Sequence, residues 1–406
     1  MQTTTTATVR AEATSGAALT LGLCFIVALL EGLDLQSIGV AAPRMAREFG
    51  LSVSQMGLAF SAGTFGLLPG AMLGGRLADR IGRKKVLIAA TALFGIFSIA
   101  TAQAWDFWSL LAIRVATGIG LGGAMPNLIA LCSEAVPARL RNTAVSIMYC
   151  GIPFGGAIAA IIGMVFASDS GWRHIFYVGG FGPLVIIPLL LMMQESRGFD
   201  RPTGAAVTPP PVGRALFGER RTVATLCIWI SFFFTLVVLY FLLNWLPSLM
   251  VANGLSRAEA GWVQILFNLG GGAGALGIGM LMDRGRPGAV VSGMYAGIIA
   301  ALATLAAASG MSWMATGAFM AGLFVIGAQS VLYALAAAYY PMAVRGTGVG
   351  AAVAVGRLGS IAGPMLAGLL LSMGKSSASI IGASIPVTII AALAALVLLR
   401  RPVARD

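Results

Sequence analysis

The stretch GRLADRIGRKK, residues 75–85, decides the fold of this chain. It follows one apolar run of about twenty residues and precedes another, and such lengths suit helices that cross a hydrocarbon layer. Gly75 and Gly82 permit a tight turn between the two helices, and five of the eleven residues are basic. A short basic turn between long apolar helices is typical of a membrane protein.

The composition of the whole chain supports the same interpretation. Apolar residues make up 58% of the 406 residues and charged residues only 10%, with a mean hydropathy of +0.91. A soluble domain carries about 25% charged residues. The net charge of +12 could indicate a nucleic-acid partner, but the basic residues form short clusters between apolar runs instead of one basic face. We therefore expect a lipid bilayer as the solvent and no nucleic-acid partner.

Long apolar runs recur twelve times, so the sequence predicts an all-α membrane protein. The predicted spans are 17–42, 54–76, 86–104, 108–133, 142–167, 172–193, 222–250, 258–282, 288–309, 312–338, 346–372 and 376–399. Residues 194–221 are charged and rich in Pro and Gly, which predicts a cytoplasmic linker. The predicted divisions are a tail at 1–16, six-helix bundles at 17–193 and 222–399 on either side of the linker, and a tail at 400–406.

Basic residues are distributed unequally between the two sides of these spans. With the N-terminus inside, 19 of the 26 Lys and Arg residues fall on cytoplasmic segments. Five fall outside, namely Arg44, Arg47, Arg173, Arg257 and Lys375. The positive-inside rule therefore predicts a multi-pass protein of the inner (plasma) membrane with both termini in the cytoplasm.

The chain contains an internal repeat, because it matches itself without a gap when shifted by 204 residues. The matched pairs include Pro43 with Pro247, Gly50-Leu51-Ser52 with Gly254-Leu255-Ser256, and Asp79-Arg80 with Asp283-Arg284. Two parallel six-helix repeats are a transporter architecture in which substrate binds near the bilayer midplane, between the halves. The repeat thus predicts two pseudo-symmetric bundles around a central site.

Two motifs resemble those of the major facilitator superfamily. Residues 75–85 resemble its signature loop, G-x-L-x-D-R-x-G-R-[KR], and residues 114–120 in the fourth span resemble its R-x-x-x-G-x-G pattern. The resemblance implies a twelve-helix secondary transporter that works by alternating access. Asp79 is expected to face the N-terminus of the eleventh span and to latch an inner gate, whose loop comprises Gly75, Asp79, Arg80, Gly82 and Arg83. The alternative is a solvated basic loop.

Ionisable residues inside the spans are functional candidates, because a charge at the bilayer centre costs at least ~2.5 kcal/mol. Glu31 and Asp34 are three residues apart and share one helix face, about 21 and 26 Å from the cytoplasmic start of the first span. Arg114 enters from the outside to the same level, so we expect the three side chains to meet and to carry the coupled proton. A static ion pair is the alternative.

Arg357 in the eleventh span lies about 17 Å from its cytoplasmic end, close to the midplane. A guanidinium at this depth suits bidentate capture of a substrate carboxylate, with pairing to a protein acid as the rival role. The charges at positions 31, 34, 114 and 357 are absent from the repeat partners, so the fold itself does not require them. Candidate wall residues, each with packing as the alternative role, are Tyr149, Gln264, Asn268, Gln329 and Tyr333.

The motifs of other function classes are absent from the sequence. It contains no H-E-x-x-H, C-x-x-C or G-x-S-x-G pattern and no phosphate-binding loop, so we expect neither an enzyme nor an ATP-driven pump, and no metal or cofactor. Residues 151–156 only loosely match the G-x-x-x-G-P-x-x-G-G motif of proton-coupled antiporters, which disfavours an exporter of amphipathic compounds. A sensor would need a soluble domain, for which the predicted tails are too short. We expect the protein to function as a monomer.

A closer resemblance covers nearly the whole chain. Glu31-Gly32-Leu33-Asp34 resembles the first-span motif of the aromatic acid:proton symporter family, and residues 61–85, 122–153, 327–336 and 345–364 look closest to its 3-(3-hydroxyphenyl)propionate transporter branch. The resemblance implies uptake of a phenolic acid with protons, with Asp34, Arg114 and Arg357 at positions of family importance. Many members have Asp where this chain has Glu31. Uptake of benzoate or hydroxybenzoate by the same mechanism is the alternative.

Overall fold

The computed structural model describes residues 2–137, 140–193, 195, 211–218, 221–282, 286–341 and 344–401. Side chains are described from Gly16 onward, except that of Asn142. Most of the predicted linker at 194–221 lies outside these residues. The repeat partners Asp283-Arg284 and residues 402–406 of the predicted C-terminal tail also lie outside them.

Six long helices form the N-terminal half of the chain. They are α1 (Gln2–Glu48), α2 (Val53–Ile81), α3 (Arg83–Ala102), α4 (Phe107–Glu134), α5 (Arg141–Val165) and α6 (Trp172–Leu191). The membrane-spanning part of α1 begins at Gly16, and the helical backbone continues through most of the predicted tail at 1–16. Ser52 starts α2 by accepting a hydrogen bond from the Gln55 backbone N–H, and Asp106 starts α4 in the same way through Ser109.

The C-terminal half repeats this plan after the short helix α7 (Val212–Phe217). Its helices are α8 (Thr222–Ala252), α9 (Arg257–Met282), α10 (Pro287–Ala307), α11 (Met311–Ala321), α12 (Gly327–Tyr339), α13 (Arg345–Ser372) and α14 (Ser377–Leu399). A π-helical segment, Gly322–Ile326, joins α11 to α12, so the tenth span is one helix with an irregular centre. In the described part of the chain, twelve helices are long and apolar enough to cross a membrane, and each agrees with a predicted span to within six residues at either end. The predicted fold class is confirmed.

The two halves pack their helices in the same pairs. In the N-terminal half α1 packs on α5, α2 on α4 and α3 on α6. In the C-terminal half the repeat-related helices do the same, since α8 packs on α13, α9 on α11 and α12, and α10 on α14. Between the halves, α2 contacts α13 and α9 contacts α5, and α1 contacts α8. The first two contacts are equivalent, because the repeat relates α2 to α9 and α13 to α5.

Glycines bring the paired helices to backbone contact in both halves. A side chain on Gly118 of α4 would collide with the carbonyl oxygen of Gly63 on α2. The residue 204 positions later, Gly322, makes the equivalent contact with the carbonyl oxygen of Phe267 on α9. Small residues are what allows such close approach between helices in a membrane, where burial of apolar surface provides no driving force. The sequence repeat is thus a repeat of packing as well.

The halves meet toward one face of the bundle. We call the face with the turn at Gly82 and both chain ends the terminal face, and the face with the turns at Gly50 and Gly254 the far face. Toward the far face, the Ser61 hydroxyl donates a hydrogen bond of 2.8 Å to the carbonyl of Ile361, and the rings of Phe60 and Trp245 pack edge to face at 4.9 Å. The central space between the halves is therefore closed on the far side.

The loop at residues 75–85 is held by its own half. Gly82 has a φ of +99°, and a side chain there would collide with the carboxylate of Glu195, which accepts a hydrogen bond of 3.0 Å from the Lys84 backbone. Arg83 pairs with Glu134 at the end of α4. Asp79 is exposed, and no hydrogen bond or ion pair reaches it from the described residues. The expected contact of Asp79 with the N-terminus of α13 is not made, because the halves meet toward the far face instead.

Candidate functional site

A cavity lies between the two halves of the protein. Its wall is mostly apolar and aromatic, and polar groups project into it from both halves. An apolar and aromatic wall with a few convergent polar groups is typical of sites that hold small organic molecules. The polar and aromatic wall residues are Glu31, Gln36, Tyr149, Tyr240, Gln329, Ser330, Tyr333 and Arg357, and the apolar ones include Leu35, Met125, Ile152, Leu239, Leu243 and Ile326.

Arg357 supplies the positive charge of the cavity. It lies on α13, twelve residues or about 18 Å from Arg345, which places it near the middle of the span. Its Nη1 donates a hydrogen bond of 2.6 Å to the hydroxyl of Tyr240 on α8. No carboxylate among the described residues forms an ion pair with it. Apart from the bond to Tyr240, no hydrogen bond from the described residues reaches the guanidinium, and its planar fork of donors matches a carboxylate.

Glu31 on α1 is the acid of the same cavity. Only 1% of its surface is exposed, and its Oε2 is buried without a hydrogen-bond partner in the described structure. Arg357 lines the same cavity, and Asp34 follows three residues later on the same helix. A buried carboxylate without partners is costly in its charged form, and a proton or a bound ligand can relieve that cost.

Asp34 and Arg114 form a separate ion pair inside the N-terminal half. The Arg114 Nη1 lies 2.9 Å from Asp34 Oδ2, and the two side chains are 2% and 0% exposed. The Arg114 Nη2 also donates to the backbone carbonyl of Asp34 at 3.4 Å, and the guanidinium stands over the ring of Phe176 at 5.7 Å. From their depths in the spans, the sequence predicts that Glu31 joins this pair. The structure instead turns Glu31 into the cavity, so that the two acids of α1 have different surroundings.

Because this ion pair is buried, we expect removal of one partner to be far more damaging than removal of both. Arg114→Gln leaves the Asp34 carboxylate charged and unpaired, which costs about 3–5 kcal/mol, whereas Asp34→Asn with Arg114→Gln leaves two neutral groups that can bond each other. The thermal unfolding midpoint of detergent-solubilised protein should fall steeply in Arg114→Gln and recover in the double variant. Arg76→Gln, an exposed charge on the terminal face, is the control. A double variant as unstable as the single one would contradict this interpretation.

Three amides join the halves between the cavity and the far face. Gln36 of α1 donates from Nε2 to Asn268 Oδ1 at 2.8 Å, and its Oε1 accepts from Gln264 Nε2 at 2.7 Å and from Asn268 Nδ2 at 2.9 Å. All three side chains are buried to 99% or more. Gln264 and Asn268 were expected in the cavity wall, and the structure does not place them there. The amide of Asn268 and the amide nitrogen of Gln264 are used in this cluster, whereas Gln264 Oε1 is buried without a partner in the described structure, and of the three residues Gln36 alone lines the cavity.

The other predicted wall residues do line the cavity. Tyr149 of α5 and Tyr333 of α12 face each other across the halves with ring centroids 6.5 Å apart, and Phe232 packs edge-on against Tyr333 at 5.6 Å. No hydrogen bond from the described residues reaches Gln329 or its neighbour Ser330. The cavity thus combines aromatic faces with polar groups that are available to a ligand.

Two residues of the site were missed in the sequence analysis. Tyr240, which orients Arg357, lies in a long apolar run where an aromatic residue gives no signal. Gln36 could have been found, because it is a polar residue two positions after Asp34 in an apolar span, and buried polar groups there need partners. In the described ranges, no three His, Cys, Asp or Glu side chains come together as a metal site would require.

The sequence and the fold are both similar to those of known transporters. The family model described as Major Facilitator Superfamily matches residues 24–256 and 228–406. The chain is 50% identical to the 3-(3-hydroxy-phenyl)propionate transporter of Escherichia coli (strain K12) over 94% of each chain. It is 35% identical to the 4-hydroxybenzoate transporter PcaK of Pseudomonas aeruginosa over 87% of this chain and 86% of the other. The fold is similar to that of a D-xylose-proton symporter, with a TM-score of 0.76 at 20% identity over 94% and 97% of the two chains.

Proposed function

Because this chain belongs to the Major Facilitator Superfamily, we propose that it imports a small aromatic carboxylate together with protons, with 3-(3-hydroxyphenyl)propionate as the first candidate. Like its relatives, the chain is a transporter and not an enzyme. The observation that carries the proposal is Arg357, a cation with no ion-pair partner among the described residues, on the wall of an aromatic and apolar cavity. A carboxylate binds the guanidinium fork, and an aromatic ring packs among Tyr149, Tyr333 and the aliphatic wall.

The orientation follows from the basic residues. The turn with Arg83, Lys84 and Lys85 lies on the terminal face, so the positive-inside rule makes that face cytoplasmic and the far face periplasmic. The chain then spans the inner membrane with both ends in the cytoplasm. The symmetric halves enclose the cavity within one chain, which supports a functional monomer.

The proposed cycle couples the proton to the substrate through the two charged groups of the cavity. With the halves apart on the periplasmic side, Glu31 takes up a proton and the substrate carboxylate docks on Arg357. Closure of the periplasmic side then buries a neutral set of charges, because the protonated Glu31 leaves Arg357 and the substrate anion to neutralise each other. Opening toward the cytoplasm releases both. Asp34 and Arg114 stay paired and hold α1 so that Glu31 faces the cavity.

The proposal is tested by uptake into proteoliposomes that contain the purified protein, under an imposed pH gradient. We expect labelled 3-(3-hydroxyphenyl)propionate to accumulate when the outside is acidic and to equilibrate when the gradient is collapsed. The amide of the same acid, which lacks the carboxylate, should neither enter nor compete. 4-Hydroxybenzoate and benzoate belong in the same competition series, because a relative that is 35% identical is a 4-hydroxybenzoate transporter. If none of these acids is taken up, the proposed substrate class is wrong.

A further inference from the structure

The far face carries a cluster of charges where the two halves meet. Arg44, Arg47, Glu48, Asp169 and Arg173 line one opening there, and Arg257 joins them from the C-terminal half. In the proposed orientation this opening faces the periplasm, from which the substrate arrives. The positive-inside rule disfavours arginines on that side, so their presence calls for a reason.

One arginine and one acid of the cluster satisfy each other. Arg173 donates to both carboxylate oxygens of Glu48, at 2.9 and 2.5 Å, and the indole of Trp172 donates to the same carboxylate at 2.7 Å. The guanidinium of Arg173 also lies over the Trp172 ring at 4.5 Å. Glu48 is therefore not available to neutralise the other arginines.

Arg44 keeps its charge uncompensated. It is 6% exposed, and it donates to the backbone carbonyls of Phe166 at 2.8 Å and Gly163 at 2.6 Å. These acceptors are neutral, so they orient the guanidinium without cancelling its charge. No carboxylate forms an ion pair with Arg44 within the described ranges.

Among the described residues, Asp169 is the acid that pairs with Arg47 and Arg257. It lies 3.1 Å from Arg257 and 3.9 Å from Arg47, and its side chain is 81% exposed. The nearby Glu259 is engaged in the cap of α9, where it accepts hydrogen bonds from the backbone and hydroxyl of Ser256. The neutral donors of Ser256 leave the charge of Glu259 in place, so Arg44, Arg47 and Arg257 against Asp169 and Glu259 give a net charge of +1 once the Arg173–Glu48 pair is set aside.

A second cavity leads from this cluster toward the centre of the protein. Arg44 and Arg257 line it from opposite halves, together with the apolar residues Val40, Pro43, Met164 and Pro247. Its inner end is Gln264, one of the three amides that seal the central cavity. The other side of that amide cluster is Gln36, which lines the central cavity. Arg44 and Arg257 therefore lie at the outer end of a path that leads through the second cavity and the amide cluster to the central cavity and Arg357.

We propose that Arg44 and Arg257, assisted by Arg47, form an outer capture site for the carboxylate of the substrate, whose ring packs on Pro43, Met164 and Pro247. The proposal rests on the proposed function, since it names a first stop for the same aromatic acid. When the halves part on this side, Arg257 moves away from Asp169 and its guanidinium becomes free for the ligand. The substrate then passes from one guanidinium to the next along a positively charged route.

The ion pair between Arg257 and Asp169 also joins the halves, so a mere latch is the competing explanation. The two explanations predict different signs for the change in the binding rate of the substrate in the two variants Arg257→Gln and Asp169→Asn. A latch is broken equally by Arg257→Gln and by Asp169→Asn, so both variants would open the periplasmic side and change the binding rate in the same direction. In a capture site Arg257→Gln removes attraction for the substrate, whereas Asp169→Asn removes the anion that pairs with Arg257 and Arg47 and increases that attraction.

The test is the association rate constant of 3-(3-hydroxyphenyl)propionate with right-side-out proteoliposomes, followed by tryptophan fluorescence after rapid mixing. At about 10 mM ionic strength, where charges act over roughly 30 Å, we expect Arg257→Gln to lower the rate constant about 3- to 10-fold and Asp169→Asn to raise it about 2- to 5-fold. Both effects should shrink at about 300 mM salt. Lys375→Gln, an exposed charge of the same face that lines neither cavity, should leave the rate unchanged.

Changes of the same sign in the two variants would establish a latch and overturn the capture site, and unchanged rates would overturn it as well. Uptake by the unsubstituted protein in the same vesicles separates this result from the proposed function. If the unsubstituted protein transports no aromatic acid, the proposed function itself has failed. If it transports the acid while both variants bind at the normal rate, only the capture site is wrong.

Discussion

Glu31→Gln will abolish accumulation of the aromatic acid under a pH gradient while substrate exchange across the membrane continues. Glutamine has the shape of the protonated acid, so the cavity keeps the neutral state that permits the halves to move with substrate bound. It cannot release a proton, so the gradient no longer drives transport. With one proton per monoanion, the unsubstituted protein should concentrate substrate about tenfold for each pH unit, and the variant should only equilibrate it.

The measurement compares two assays on the same proteoliposomes. One is net accumulation under an acidic exterior, and the other is exchange of labelled for unlabelled substrate without a gradient. Glu31→Asp is the matched control, because it keeps an ionisable group one methylene shorter and should keep coupling. Accumulation that survives in Glu31→Gln would show that the proton travels on another group. Asp34 is the next candidate, since it is the other acid of α1 and has one carboxylate oxygen, Oδ1, without a partner in the described structure.

Arg357→Gln will lower the uptake efficiency, kcat/KM, by about 100-fold or more. The buried charge-assisted contact with the substrate carboxylate is worth at least about 3 kcal/mol, and each 1.4 kcal/mol is a factor of ten. Arg357→Lys should recover part of the loss, because an ammonium keeps the charge but not the planar fork that binds both oxygens. The variant protein should still fold, since removing a charge from the middle of a span lowers the cost of insertion.

Initial uptake rates over a range of substrate concentrations test this prediction. Tyr240→Phe is the matched control, because it removes only the hydrogen bond of 2.6 Å that orients the guanidinium and should cost about tenfold or less. Uptake in Arg357→Gln within a few-fold of the normal rate would contradict carboxylate capture at this position. A loss of the same size in Tyr240→Phe would instead show that the tyrosine takes part in binding directly.

The fold could be predicted because membrane insertion leaves little choice. A run of twenty apolar residues can satisfy its backbone hydrogen bonds in the bilayer only as a helix. The match at a shift of 204 residues predicts two six-helix halves with equivalent helix packing. The π-helical segment at Gly322–Ile326 was not predicted. The helix-to-helix contact of Gly322 with Phe267 lies at this segment, and a single sequence does not reveal such contacts.

The sequence predicted how deep the site residues lie in the membrane, but only partly the direction in which their side chains point. Asp34 and Arg114 lie at one level and meet, as their depths indicated. Residues three apart on a helix still point about 60° apart, since each residue turns the chain by about 100°. That angle is enough to direct Glu31 into the cavity and Asp34 toward α4. Gln264 and Asn268 lie at suitable depths too, but they point at Gln36 rather than into the cavity.

The three amides that seal the cavity have a consequence for energy conservation. A transporter driven by protons loses its driving force if water molecules form a continuous chain across the membrane, along which protons can hop. Gln36, Gln264 and Asn268 fill the gap with groups that neither gain nor lose protons near neutral pH, and every amide nitrogen and oxygen of the three except Gln264 Oε1 is hydrogen-bonded within the cluster. In the proposed cycle, the amides that block the return of the substrate therefore also block the leakage of protons while the cavity is open to the cytoplasm.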